Sequence, residues 1–239
     1  MPGHAAETSP RLKARIAGVF YLITIVTGIF GEVFVRGRLI VYGDAAATAT
    51  NILAHQTLLR LGFALDLIPV YIVVTVLFYD LFKPVNRSLS LLAAFFSLAG
   101  CAIGALNSLF QLAPLLVLRG EQYLSIFNAG QQQALALMFL ELRAQGFDIC
   151  LVFFGFYCIL IGYLIFRSTF LPKILGVLMA IAGLGYLINS FATFLSPAFA
   201  IHLIPYVLAP GLLGEGSLTV WLLAVGVNVQ RWKEQESAA

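Results

Sequence analysis

Six stretches of the chain stay apolar long enough to cross a bilayer: Ile16 to Val35, Leu61 to Phe82, Leu89 to Leu112, Phe147 to Phe166, Ile174 to Leu195 and Tyr206 to Val229. A helix rises about 1.5 Å per residue, so about 20 apolar residues cover the hydrocarbon core. Charge, proline and glycine gather in the links between them. Lys83 to Ser88 and Arg167 to Lys173 are brief turns holding Pro84 and Pro172, which makes spans two and three, and spans four and five, antiparallel neighbours. Two longer links carry helical patterns of their own. Asp44 is placed to cap a helix running to His55, with Ile52, His55 and Leu59 on one face. Leu124, Phe127, Leu135, Met138 and Leu142 recur at helical spacing beside Gln131, Gln132 and Gln133, in a run too short to span; it reads as a helix lying on the outer surface. The pattern predicts an all-α, polytopic membrane six-helix bundle with two short external amphipathic helices. One transmembrane domain, residues 10–233, lies between a disordered cytoplasmic tail, 1–9, and a second cytoplasmic tail, 234–239.

Composition makes the bilayer the first partner. The chain is 61% hydrophobic and 10% charged, with a mean hydropathy of +0.96, outside the range of a soluble domain. Its net charge of +3 is scattered at the ends of apolar runs, which suits anionic headgroups and excludes a nucleic-acid partner. Nine of the 14 basic residues (Arg11, Lys13, Arg15, Lys83, Arg87, Arg167, Lys173, Arg231 and Lys233) fall on one side of the six spans. Positive charge favours the cytoplasmic side, so both termini are expected inside. Cys101, Cys150 and Cys158 lie within apolar runs without CxxC spacing, which reads as packing rather than a disulfide framework or a zinc site.

The acidic and amide side chains change the picture. Counted from the middle of each span, Glu32, Asp66, Asn107, Asp148 and Asn189 lie roughly 7 to 14 Å outward of the midplane, and Glu215 roughly 5 Å. An ionised carboxylate at the centre of a membrane helix costs about 2.5 to 3.5 kcal/mol, so these groups should face protein or water. Asp66 and Glu215 are the strongest candidates, since neither has a basic residue one helical turn away. Gln111 adds a polar group on span three, and Pro69, Pro114, Pro205 and Pro210 are placed to bend helices around a cavity. Glu32 with Arg36 forms an i, i+4 pair of a kind common at helix ends. Arg60 is placed to pair with Asp66 or Glu32. His55 reads as a packed histidine between Ile52 and Leu59. Gly100 and Gly104 form a GxxxG face suited to close helix packing.

Four segments carry a family resemblance. They are Arg15 to Leu22 (RIAGVFYL), Lys83 to Leu89 (KPVNRSL), the block from Phe153 to Leu178 around the turn at Arg167, and Gly214 to Leu223 (GEGSLTVWLL). Together they resemble the bacterial membrane family called domain of unknown function 4386. The resemblance implies a bacterial cytoplasmic (inner) membrane location and brings no established activity, catalytic residue or cofactor.

Three functions compete. The first is a multi-pass protein with an acid-lined pocket in the outer half of the bilayer that binds or transports a small cation or lipid-like molecule. Its site residues are Asp66, Glu215, Asn107, Asn189, Asp148, Glu32, Gln111, Arg60 and His55. The second is an intramembrane metal-dependent hydrolase, against which stand the missing HExxH pair and the lack of a nucleophile motif. The third is an accessory subunit that meets a protein partner through its external helices, its buried acids forming a structural ion-pair network. Binding is the reading favoured over catalysis.

Overall fold

The computed structural model describes residues 9–67 and 70–238 and is helical throughout, with no strand among the described residues. In chain order the helices are α1 (Pro10–Ile29), α2 (Ala45–Ala54), α3 (Gln56–Asp66), α4 (Val70–Phe82), α5 (Arg87–Asn107), α6 (Leu109–Leu118), α7 (Ala129–Arg167), α8 (Lys173–Leu195), α9 (Pro197–Ala224) and α10 (Val229–Ser237). Five stretches are long and apolar enough to span a membrane: Pro10–Leu39, Gln56–Phe82, Arg87–Leu118, Ala129–Arg167 and Lys173–Leu195. A sixth is reached only when Ala209–Ala224 and α10, which meet at a bend of 103°, are counted together. Val26, Phe95, Ile174 and Val220 are each more than half exposed, a loss in water and none in lipid. The chain is a multi-pass helical membrane protein.

Several elements depart from their expected limits. The amphipathic run from Leu124 to Leu142 is no separate helix beyond residue 129: it continues without a break into span four as the 39-residue α7. No proline lies within it, and Gly146 alone does not stop a helix held by packing on both sides. By contrast, Asp44 caps α2 as expected, its carboxylate accepting from the Ala47 N–H at 2.9 Å. Span three is divided at Ser108. Pro114 removes a bond from the ladder, and just before it the Gln111 N–H reaches the Ser108 carbonyl at 3.0 Å. The bend expected at Pro69 and all but Ser9 of the N-terminal tail lie outside the described residues. His202 lies within α9, and the C-terminal tail is helical to Ser237. The turn between α9 and α10 depends on Gly226, whose φ of +73° is open to glycine at little cost.

The contacts divide the chain into two compact units. The first comprises residues 1–24, 70–101 and 151–239, the second residues 25–69 and 102–150. In the first, Thr75 and Ser97 share a 2.6 Å hydrogen bond between α4 and α5, while Ser90 donates to the Tyr79 carbonyl, so these helices are the antiparallel neighbours expected. Helices α7 and α8 meet through glycines. A Cβ at Gly176 would stand 2.5 Å from the Gly162 carbonyl oxygen, and one at Gly183 would stand 2.5 Å from that of Gly155. Gly100 likewise seats the Phe154 ring, whereas at Gly104 the Cys150 sulfur is 3.6 Å from an added Cβ and leaves room. The second unit packs Val35, Leu39, Ile52, Leu59, Leu115 and Leu140 into one core. The three cysteines are unbridged.

The backbone contact at Gly176 has no flexible side chain that could move aside. Gly176→Ala should therefore lower unfolding stability by about 1 to 3 kcal/mol. Gly28→Ala, where nothing lies within 4 Å, should leave it unchanged or raised. Denaturation of both variants in the same detergent checks this.

Candidate functional site

The polar residues gather in two places with different chemistry. In the second unit the site begins with an irregularity of the first span. After α1 the helix widens into a π-helical segment, Phe30–Arg36, in which the Gly37 N–H bonds back to the Glu32 carbonyl. Such widenings turn side chains off the regular helical face and recur at functional positions. Here the segment presents Glu32 and Arg36. The Arg36 guanidinium donates to Glu32 Oε1 at 2.5 Å and to Gln111 Oε1 at 3.3 Å, and stands 3.6 Å from Asp66 Oδ2. Arg143 of α7 donates to the same Asp66 oxygen at 3.0 Å.

Amides complete this network. Gln111 Nε2 donates to the Leu59 carbonyl at 3.2 Å, and Asn107 Nδ2 to the Arg143 carbonyl at 2.8 Å. Gly62 allows the close approach, since a Cβ there would stand 2.8 Å from both Gln111 Nε2 and the Val35 side chain. The side chains of Arg36 and Arg143 are 11% and 8% exposed and that of Asp66 is 21% exposed, whereas Glu32 is 52% exposed. Two guanidinium groups thus balance two carboxylates, with Asp66 between the buried pair. The Nε donors of both arginines are buried without a hydrogen-bond partner, as is Asn107 Oδ1. The network has spare donors and no spare negative charge.

Several expected members lie apart from this network. Arg60 is exposed and forms no ion pair among the described residues; Arg36 and Arg143 hold Asp66 instead. Six residues separate Arg60 from Asp66, which puts them about 120° apart around a helix. His55 is exposed rather than packed, its ring against the Asn51 carbonyl at the end of α2. Asp148 is half-buried five residues beyond Arg143 on α7.

Glu215 and Asn189 belong to the first unit. Glu215 is half-buried on α9, and its Oε1 accepts a hydrogen bond from the Tyr186 hydroxyl of α8. A Cβ at Gly211 would stand 2.5 Å from that hydroxyl, so the glycine one turn before Glu215 makes room for the tyrosine. The Tyr21 hydroxyl lies beside the same carboxyl group. Tyr71 in turn donates to the Tyr21 hydroxyl at 3.4 Å, and its ring meets those of Tyr21, Phe154 and Tyr157 edge-on at 4.8 to 5.8 Å. No basic group forms an ion pair with Glu215 among the described residues. Asn189 is buried on α8, three residues beyond Tyr186. No group of three His, Cys, Asp or Glu side chains among the described residues is arranged to hold a metal ion.

Sequence reasoning missed Arg143 and the tyrosines. Arg143 sits at the edge of an apolar run, where it counts as an ordinary flanking charge. A signal was present in its spacing, since Arg143, Gly146 and Cys150 share one helical face with residues suited to packing.

Breaking a buried ion pair from one side strands the other charge, at about 3 to 5 kcal/mol. Asp66→Asn and Arg143→Gln should each destabilise the protein by about 3 kcal/mol. Glu32→Gln, at the exposed end, should cost less than about 1 kcal/mol, and Arg60→Gln nothing measurable. Chemical denaturation of the four variants checks the order.

Comparison with known proteins supplies the family and no activity. An uncharacterized protein of Archaeoglobus fulgidus is 26% identical over 155 residues, covering 65% of this chain and 76% of its own length. No solved structure matches. Residues 16–226 match the family described as Domain of unknown function (DUF4386), and the chain belongs to that family.

Proposed function

We propose that this protein binds a proton or another small cation within the membrane, and that Glu215 is the binding group. One observation carries the reading: Glu215 lies in an apolar helix, bonded to Tyr186 and beside Tyr21, with no cationic partner among the described residues. An ionised carboxylate in hydrocarbon needs its charge cancelled in place. Asp66 has two guanidinium groups for this purpose; Glu215 has hydroxyls, which orient and share a proton without neutralising charge. A proton is the smallest ligand that meets the need and requires no open cavity among these packed rings. A cationic lipid-like group would use the same carboxyl together with the tyrosine faces.

The Arg36–Asp66–Arg143 network supports a second role, that of a structural element in an accessory subunit. It offers no surplus negative charge to a cation, so within this proposal Asp66 holds helices together. Among the described residues no group of three His, Cys, Asp or Glu side chains supports the metal-dependent hydrolase reading. The proposal keeps the bacterial inner membrane as the location, with both termini in the cytoplasm and access to Glu215 from the outer leaflet. The distribution of basic residues supports that orientation.

Infrared difference spectra across a pH step, or on adding sodium or potassium, should contain a carboxyl band that disappears in Glu215→Gln and moves in Tyr186→Phe. The Gln variant should stay folded, since a neutral amide removes an uncompensated charge. An unchanged band in a folded Glu215→Gln protein would contradict the assignment.

A further inference from the structure

The first unit carries a second concentration of polar groups, around the C-terminal helix. Four contacts fix α10 across the bend at Gly226. The Trp232 indole is 8% exposed and donates to the Leu81 carbonyl at 2.9 Å. The Asn228 N–H reaches the Phe170 carbonyl at 3.2 Å, Thr169 bonds through both its N–H and its hydroxyl to Gln235, and Arg231 donates to the Thr169 carbonyl at 3.3 Å. Trp232 is thus a peg that pins α10 to the end of α4, while Asn228, Arg231 and Gln235 hold it to the turn 168–172. A hollow lies on either side of this helix, and both are lined by Gln235 and Ala238.

Both hollows are basic. The larger, about 890 Å³, has Arg167, Lys173 and Arg231 on its walls and one acid, Glu234, whose carboxylate is bonded to Gln230 at 3.1 Å. The smaller, about 400 Å³, has Lys83 and Arg87. Of these five cations only Lys83 forms an ion pair among the described residues, with Asp80 at 3.1 Å. Lys173 lies over the Phe166 ring at 5.4 Å, which directs its stem without cancelling its charge. The fold therefore concentrates positive charge around a rigid helix and leaves most of it uncompensated. Gln235, whose side-chain amide carries N–H donors, stands on the walls of both.

We propose that these hollows are binding sites for the phosphate headgroups of anionic phospholipids. Charge complementarity points to phosphate, and position points to lipid. Arg87 and Lys173 open membrane-spanning helices and Arg167 closes one, so the hollows stand where the apolar core of a bilayer ends and its headgroups begin. A guanidinium beside a flexible ammonium, with an amide donor, matches the oxygens of a phosphodiester. Since α10 is pinned to the end of α4 and to the turn 168–172, a headgroup held there would tie those segments together. This inference does not depend on the role of Glu215.

The test uses the full chain purified in a neutral detergent, with phosphatidylglycerol, phosphatidylcholine or inorganic phosphate added in turn. Melting temperature and lipid adducts by native mass spectrometry are the readouts. Phosphatidylglycerol should raise the melting temperature and give adducts, phosphatidylcholine much less, and the preference should shrink as salt is raised. The variant Arg167→Gln/Lys173→Gln/Arg231→Gln should weaken phosphatidylglycerol binding roughly tenfold or more while leaving phosphatidylcholine binding unchanged. Equal effects of the two lipids, a salt-independent preference, or a stabilisation reproduced by inorganic phosphate alone would each overturn the proposal. Should the triple variant fail to fold, the salt series and lipid comparison on the unaltered protein decide the matter alone.

Discussion

A carboxylate within an apolar helix must have its charge cancelled where it stands, and the polar architecture of this protein follows from how each carboxylate meets that requirement. Asp66 meets it with protein, between Arg36 and Arg143, and five helical segments converge to make that possible. The convergence has structural conditions of its own. The first span widens at Phe30–Arg36, the third is divided at Ser108, and α3 carries a glycine where Gln111 and Val35 press against it. Each of these departures from a regular helix brings a charged or amide group to the same few ångströms.

Glu215 meets the requirement by other means. Its neighbours are hydroxyls and aromatic rings, and the packing that places them is glycine packing: Gly211 beneath Tyr186, and Gly214 with a Cβ position only 2.7 Å from the Leu178 carbonyl oxygen. Small residues let α8 and α9 approach closely enough for a phenol on one to reach a carboxyl on the other. A change in the charge of Glu215 would be felt by the tyrosines around it. That difference in surroundings, rather than any difference in sequence context, is why the two acids are given different roles.

The spans were legible because crossing a bilayer needs length and apolarity, and both are properties of a contiguous run. The capped helix α2 was legible for a similar reason, since Asp44 and the N–H it binds are three residues apart. The limits of α7 were not. The polar face of Gln131 to Gln133 resembles a surface helix, and nothing local records that packing carries the helix on through Gly146. Within the site, the same one-turn rule marked both Asp66 and Glu215 as lacking a basic neighbour. A local rule cannot see the partner of Asp66, because Arg143 lies 77 residues away along the chain and is joined to it only by folding, whereas Glu215 has no ion pair among the described residues. Arg60 was favoured for its nearness in sequence, and helical geometry turns it away. Tyr186 and Tyr21 lie within apolar spans, and no spacing rule connects either of them to Glu215.

On the proposal made for Glu215, two carboxyl groups in one membrane protein are neutralised by different agents. Solid-state NMR of the protein in bilayers, with ¹³C-labelled Asp and Glu carboxyls assigned through Asp66→Asn and Glu215→Gln, reads both groups in one sample. Asp66 should have the shift of an ionised carboxylate and be indifferent to added sodium or potassium, while Glu215 should have that of a protonated acid or move when a cation is added. An ionised Glu215 that responds to neither protons nor cations would rule out its role as the binding group.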